Sequence, residues 1–194
     1  MQKTRGKPDL FVFCLILLLG FGVYADTLRS GFHFDDQVVI EENVAIRDLS
    51  RPGLLWQAFN TRFFLGLTFA FNYAVGKLDP FGYHLFNILI HLFSSFLVYR
   101  LVVLTFQTPQ MKTHPLADRC LPLAGAAALF FLVHPIQTMA VSYIWQRGAS
   151  LAAFFYLSAV VLYVQWRLTS RQLYFGGSLL ATVLGMFTKE ITFT

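Results

Sequence analysis

Charged residues are scarce in this sequence of 194 residues, of which only 13% are Asp, Glu, Lys or Arg. Soluble domains carry about 25%, so this composition excludes an ordinary soluble domain whose whole surface faces water. The sequence also contains no internal repeat, low-complexity tract or flexible linker. It therefore gives no sign of several domains joined by linkers.

Cysteine is rare as well, with Cys14 and Cys120 only. Two cysteines so far apart give neither a disulfide framework nor the spacing of a metal site, and Cys14 lies inside an apolar run. We expect both thiols to be inert and no cofactor to be bound, with a divalent metal left open.

Hydrophobic residues make up 56% of the chain, and 22 of its residues are Phe. This composition predicts an all-α membrane protein, since aromatic residues suit lipid-facing and interfacial surfaces. A net charge of +5 would suggest a nucleic-acid partner in a soluble protein. Here we expect the lipid bilayer as partner and no nucleic acid.

Apolar runs predict about five membrane-spanning helices, because about twenty apolar residues cross a bilayer. The first run follows a basic patch at Lys3, Arg5 and Lys7 without a clean cleavage site, so we interpret it as an uncleaved signal anchor. The predicted spans are residues 10–25, 84–106, 121–139, 148–166 and 173–188.

Residues 26–82 are predicted to form one large extracytoplasmic loop containing interfacial helices. Within it, Phe63–Gly76 is apolar but short for a crossing, and we predict that it lies along the membrane surface. This arrangement places eight basic and two acidic residues on the side of the N-terminus, against seven basic and eight acidic residues on the other side. The predicted topology therefore agrees with the positive-inside rule.

Polar residues from three distant segments then share the extracytoplasmic side. Asp35 and Asp36 are adjacent carboxylates, a pairing that suits a general base because like charges raise a carboxyl pKa; a solvated loop is the alternative. His134, Gln146 and Arg147 flank the turn between two spans. A guanidinium near membrane depth needs an anion, and arginine binds phosphate through two donors, whereas contact with lipid headgroups is the alternative.

The third segment is Lys189-Glu190, after the last apolar run. These residues form either a solvated helix end or a second cation near Arg147. Asn72 and Asn87 are interpreted as helix-packing or interfacial residues.

Several strings in this order give the sequence a family resemblance. They are FHFDD (32–36) with Glu42-Asn43, LTFAFNYAVGKLDPFGYHLFNILIHL (67–92), HPIQT (134–138) running to QRGASLAAFFYL (146–157), and TKE (188–190). Over nearly its whole length the chain resembles bacterial TPR-linked membrane glycosyltransferases, relatives of the TMTC-type O-mannosyltransferases of the GT-C fold. It departs from the family pattern at Met139, where Glu is usual, and at Phe63, where Pro is usual.

The resemblance implies a GT-C-type helix bundle that transfers a hexose, such as mannose, from a polyprenyl-phosphate donor to a hydroxyl, with inversion at the anomeric carbon. The acceptor would be a protein or another hydroxyl compound. The base would be Asp35, beside Asp36, and cations would hold the departing lipid phosphate. The implied substrate-binding residues are Arg147, Lys189, Glu190, His134 and Gln146. The site would face away from the cytoplasm, in a bacterial inner membrane or the endoplasmic reticulum.

Two other classes of function stay open. One is a truncated or non-catalytic membrane protein that binds lipid phosphate, and the other is a transporter or scaffold. Members of the resembled family continue into further membrane helices and carboxy-terminal TPR repeats. Residues 1–194 correspond to the N-terminal part of such a transmembrane domain, and we expect no transfer by this part alone.

The topology predicts which side of the membrane each loop occupies. In a chain whose Cys14 and Cys120 are replaced by Ala, Gln110→Cys should react with an impermeant maleimide only from the cytoplasmic side, and Gly53→Cys only from outside. Labelling of Gln110→Cys from outside in sealed cells would contradict this topology.

Overall fold

The computed structural model describes the backbone of residues 6–193 and the side chains of residues 9–192. The basic residues Lys3 and Arg5 lie outside this range, as does the side chain of Lys7. Within it the regular structure is helical. The α-helices are α1 (Gly6–Tyr24), α2 (Pro52–Phe59), α3 (Phe63–Gly76), α4 (Pro80–Thr105), α5 (Cys120–Val133), α6 (Thr138–Ser142), α7 (Arg147–Thr169) and α8 (Gln172–Met186).

Helix α4 is the centre of the bundle, since α1, α5 and α7 all pack against it and α8 packs against α7. Helices α1 and α4 run in opposite directions, because Asp9 near the start of α1 binds Arg100 near the end of α4, with Oδ2 and NH1 2.6 Å apart. At the other end of this pair, the Tyr24 hydroxyl donates to the Leu132 carbonyl at 3.1 Å. The bundle therefore has two distinct ends.

Three helical segments are long and apolar enough to cross a membrane: Asp9–Arg29, Pro80–Thr105 and Ile144–Thr169. A fourth crossing arises if Ala117–Val133 and Pro135–Ser142, which meet at a bend of 48°, form one broken span. The prediction of an all-α membrane protein is confirmed. The fifth predicted span is α8, whose 15 residues are short for a crossing, so that span stays a prediction.

The predicted loop 26–82 is itself built of short helices. Its apolar segment forms α3 over the predicted residues, Phe63–Gly76. Helix α4 begins at Pro80, four residues before the predicted start at His84, because local capping extends it. The Asp79 side chain accepts a hydrogen bond from the Phe81 N–H at 3.0 Å, and proline is favoured in the first helical turn.

The bend between α5 and α6 follows from the His134-Pro135 sequence. His134 is extended, with φ −64° and ψ 127°, as expected for a residue before proline. Its Nδ1 accepts a hydrogen bond from the Ile136 N–H at 3.2 Å. The chain thereby turns back towards α4 and delivers residues 141–147 to the end of the bundle that carries the loop.

Close packing between α2 and α3 makes Gly66 a sensitive position. A Cβ at Gly66 would overlap the ring of Phe59, whereas a Cβ at Gly125 in α5 would meet nothing within 4 Å. Gly66→Ala should therefore lower the free energy of unfolding by about 1–3 kcal/mol. Gly125→Ala should leave it unchanged or raise it, since Ala favours helix over Gly. Denaturation of the two variants in detergent measures the difference, and equal stability would contradict the packing argument.

Candidate active site

The loop that carries the acid pair has a constrained backbone. Phe34 has φ 52°, a left-handed conformation that costs an aromatic residue about 1–3 kcal/mol and is concentrated at functional sites. The reversal lets the His33 N–H donate to Asp36 Oδ2 at 3.1 Å. Asp36 is only 1% exposed, while Asp35 beside it is exposed to solvent.

Both acids contact the turn that precedes α7. The Tyr143 hydroxyl donates to Asp35 Oδ2 at 2.8 Å and accepts from the Asp35 N–H at 3.1 Å. The Trp145 N–H donates to Asp36 Oδ1 at 2.8 Å. Two segments more than a hundred residues apart in sequence thus meet at one end of the bundle.

Its buried environment makes the Asp36 carboxyl group easier to protonate than an ordinary aspartate side chain. Burial raises the pKa of Asp36, and it outweighs the hydrogen bonds from the His33 and Trp145 N–H groups, which lower it. Asp35 contributes a further small rise in the pKa of Asp36 through its own charge. The pair therefore combines a buried carboxyl that is costly to ionise with an exposed one that a substrate can reach.

Arg147 is fully buried, and among the described residues it forms no hydrogen bond or ion pair with Asp35 or Asp36. Its Nε donates to Asn87 Oδ1 and its NH1 to Asn72 Oδ1, both at 2.7 Å. NH2 donates to the Tyr83 carbonyl at 3.0 Å, and the rings of Phe69 and Phe86 lie 4.5 and 4.7 Å from the guanidinium carbon. In this arrangement the guanidinium is surrounded by protein groups and offers no open face to a phosphate.

The Arg147 contacts also fix the turn that reaches the acids. Asn87, held by Arg147, donates through its side-chain amide to the carbonyls of Val141, Tyr143 and Ile144 at 3.3–3.4 Å. One side chain of α4 therefore joins the buried arginine to the backbone that carries the Asp35 and Asp36 partners. This agrees with the interpretation of Asn72 and Asn87 as packing residues.

Glu190 forms an ion pair that sequence reasoning missed. Arg62 Nε and NH2 donate to its two carboxylate oxygens at 2.9–3.0 Å, and Thr61 donates to Oε1 at 3.1 Å. These hydrogen bonds, those from Arg62 first, lower the pKa of Glu190 to about 2. Arg62 also lies 6.0 Å from the Trp145 ring centroid, so the pair links the loop, the turn and the chain after α8.

Lys189 and Gln146 line a small cavity of about 50 Å³ together with Arg62, Trp145 and Gly148. Gln146 ends the 3-10 turn Ile144–Gln146, which runs directly into α7. Its N–H donates to the Tyr143 carbonyl at 3.1 Å. Lys189 is half-buried, and among the described residues no side-chain hydrogen bond or ion pair engages its ammonium group. The ammonium group of Lys189, beside the Arg62–Glu190 pair, gives this cavity a positive charge that suits an anion.

His134 takes a different place from the other predicted site residues. It caps the short turn before α6, and its ring packs edge-on against Phe130 with centroids 4.9 Å apart. Among the described residues, no hydrogen bond joins His134 to Asp35 or Asp36. Within the same part of the chain, no group of three or more His, Cys, Asp or Glu side chains could hold a metal ion.

Two residues at this site, Arg62 and Tyr143, were not predicted. Tyr143 lies inside the turn that the sequence singled out, but nothing in the sequence shows that its hydroxyl reaches Asp35. One feature of the sequence pointed to Arg62: it precedes Phe63, where the resembled family usually has Pro. Its pairing with Glu190 depends on the chain after α8 returning to the loop.

Comparison with known proteins supports a relationship along most of the chain. It is 29% identical over 212 residues to protein O-mannosyl-transferase Tmtc1 of Drosophila melanogaster, with 100% of the chain and 23% of that relative covered. It is 30% identical over 169 residues to protein O-mannosyl-transferase TMTC2 of Homo sapiens, with 76% and 18% covered. The chain is TMTC-like.

The matched region is a small part of each relative. A third relative, protein O-mannosyl-transferase Tmtc3 of Drosophila melanogaster, is 28% identical over 186 residues, with 82% of the chain and 19% of the relative covered. The TMTC-like chain thus spans about a fifth of the length of the curated relatives it matches. No protein-family profile and no solved structure matches it.

The contacts of Arg147 predict a large loss of stability when its donors are removed. Arg147→Met leaves the buried oxygens of Asn87 and Asn72 unpaired, each at a cost of about 1–3 kcal/mol, so the variant should lose about 3 kcal/mol or more. Arg62→Met is the matched control, because its partner is half exposed and such pairs contribute about 0–1 kcal/mol. Denaturation in detergent measures the stability of both variants. Similar losses would contradict a structural role for the buried Arg147 hydrogen bonds.

Proposed function

We propose that this end of the bundle is the active site of an inverting glycosyltransferase. It would transfer a hexose from a polyprenyl-phosphate donor to a protein hydroxyl, with the site facing away from the cytoplasm. The observation that carries this proposal is that Asp35 and Asp36 contact the turn before α7. Residues of the same turn line the cavity beside Lys189. The TMTC-like relatives named as protein O-mannosyl-transferases make mannose the first sugar to test.

In the proposed reaction Asp35 is the general base. It is exposed and so can meet an acceptor hydroxyl, and Tyr143 orients its carboxylate through the 2.8 Å hydrogen bond. Asp36, buried and held by two N–H groups, fixes the loop against the turn. Asp35 takes the hydroxyl proton as the acceptor oxygen attacks the anomeric carbon, and the bond from that carbon to the phosphate oxygen breaks.

The leaving lipid phosphate gains negative charge in this step, and the Lys189 cavity supplies positive charge to stabilise it. Its wall contains Gly148 in the first turn of α7, where the nearest neighbours of an added Cβ would be Leu65 at 3.1 Å and Lys189 at 3.9 Å. The absence of a side chain at Gly148 keeps this wall of the cavity free for an anion. Arg147 acts in this proposal as a positioning residue, because its donors are occupied by protein.

Two neighbouring cavities fit the remainder of the donor. An apolar cavity of about 230 Å³ runs beside Lys189 along Ala149, Ala152, Ala153 and Tyr156, four residues on one face of α7. It suits the first isoprene units of a lipid chain. On the other side of Arg62 and Trp145, a cavity of about 430 Å³ offers polar groups to the hexose. The order lipid, phosphate and sugar thus matches three adjacent spaces.

The proposal predicts that proton removal and phosphate binding depend on different residues. Asp35→Asn should lower mannose transfer about 10²–10⁴-fold while changing the Kd of mannosyl-phosphoryl lipid less than about twofold. Lys189→Gln should weaken that Kd about tenfold or more, because a charge-assisted bond to phosphate is lost. Because we expect no transfer by residues 1–194 alone, both assays use the full-length protein: radiolabelled transfer in membranes, and donor binding after purification.

The binding assay also separates catalysis from the alternative of a non-catalytic lipid-phosphate protein. Donor binding that depends on Lys189 without any transfer would favour that alternative. Unchanged transfer in both Asp35→Asn and Asp36→Asn would remove the base assignment. Donor binding that is insensitive to Lys189 would remove the phosphate site.

A further inference from the structure

A separate cavity of about 630 Å³ lies at the opposite end of the bundle. It is bordered by the segment after α4, including Thr108, Gln110 and Lys112, and by the last turns of α7, including Tyr163 and Arg167. The active site proposed above makes no use of these residues. The cavity is therefore independent of the transferase proposal.

The charged groups that line this cavity are all cationic. Lys112 and Arg167 come from different segments and face the same space, and no Asp or Glu lines it. Of the acids at this end of the bundle, Asp9 is already engaged by Arg100 at 2.6 Å and by the Tyr99 hydroxyl at 3.0 Å, and Asp118 lies outside the lining. Two like charges facing one cavity repel each other unless an anion lies between them.

Helix geometry explains only one of the two cations. Arg167 lies in the last turn of α7, where the partial negative charge of the helix end stabilises a cation without any ligand. Lys112 lies in a turn outside the helices, so no helix end accounts for its position. Both side chains are exposed to solvent, and together they can contact one anion in the cavity.

The remaining lining is partly polar and partly apolar. Thr108 and Gln110 supply a hydroxyl and an amide on one side, while Val164 and Leu168 of α7 supply an apolar wall on the other. The cavity lies where two membrane-crossing helices end, and Tyr163 at its edge is typical of the headgroup level. A soluble anion would use the cations but not the apolar wall, whereas a lipid uses both.

We propose that this cavity binds the headgroup of an anionic phospholipid. Lys112 and Arg167 contact its phosphate, Gln110 contacts headgroup hydroxyls, and the acyl chains leave along Val164 and Leu168. Basic pockets between the ends of membrane helices bind anionic headgroups by this combination of charge and apolar contact.

The test measures retention of phosphatidylglycerol by the purified protein with native mass spectrometry, against phosphatidylcholine as the neutral lipid. Lys112→Gln combined with Arg167→Gln should weaken phosphatidylglycerol binding about 30-fold, since each cation contributes about fivefold. The charge-preserving variant Lys112→Arg should retain most of the affinity. Binding of phosphatidylcholine should be equal in all forms.

A matched control distinguishes lipid binding in this cavity from general attraction of an anionic lipid to a basic surface. Arg119→Gln combined with Arg171→Gln removes the same charge at the same end but leaves the cavity lining unchanged, and it should alter affinity less than about threefold. An equal loss in both double variants would overturn the proposal. Displacement of phosphatidylglycerol by millimolar inorganic phosphate would also overturn it, because the cavity would then bind a free anion rather than a lipid.

Discussion

The burial of the Arg147 guanidinium is the constraint on which the candidate site depends. A charge at this depth is tolerated only when its donors are satisfied, and Asn72, Asn87 and the Tyr83 carbonyl satisfy them. These partners come from α3 and α4, so one side chain ties three helices together. Through Asn87 the same network fixes the turn that carries Tyr143 and Trp145.

The acids at the site are anchored by this turn rather than by each other. Asp36 accepts its hydrogen bonds from main-chain N–H groups, whose positions follow from the backbone on either side. Asp35 remains exposed and is oriented by one tyrosine. Asp36 therefore holds the loop in place while the Asp35 carboxylate stays accessible, as general-base chemistry requires.

Charge is also distributed so that the two ends of the bundle have different chemistry. The loop end holds the acids together with an Arg62–Glu190 ion pair and the cation Lys189, whose ammonium group has no side-chain hydrogen bond or ion pair among the described residues. The other end holds an Asp9–Arg100 pair and a cavity whose charged lining residues are cations. Both ends therefore offer positive charge beside an apolar wall, which is the surface that a lipid phosphate requires.

The sequence by itself determined the helical membrane class and the bounds of α3, and it singled out Asp35-Asp36 and the 134–147 turn as candidate site segments. Each of these follows from composition, from local apolar runs, or from charge counted along the chain. Only the tertiary structure decided that Arg147 faces protein, that Arg62 pairs with Glu190, and that Lys189 lies at the start of α7. Those contacts depend on how α3, α4, α7 and the chain after α8 pack, and one-dimensional spacing cannot tell whether a buried cation meets an anion or neighbouring amides.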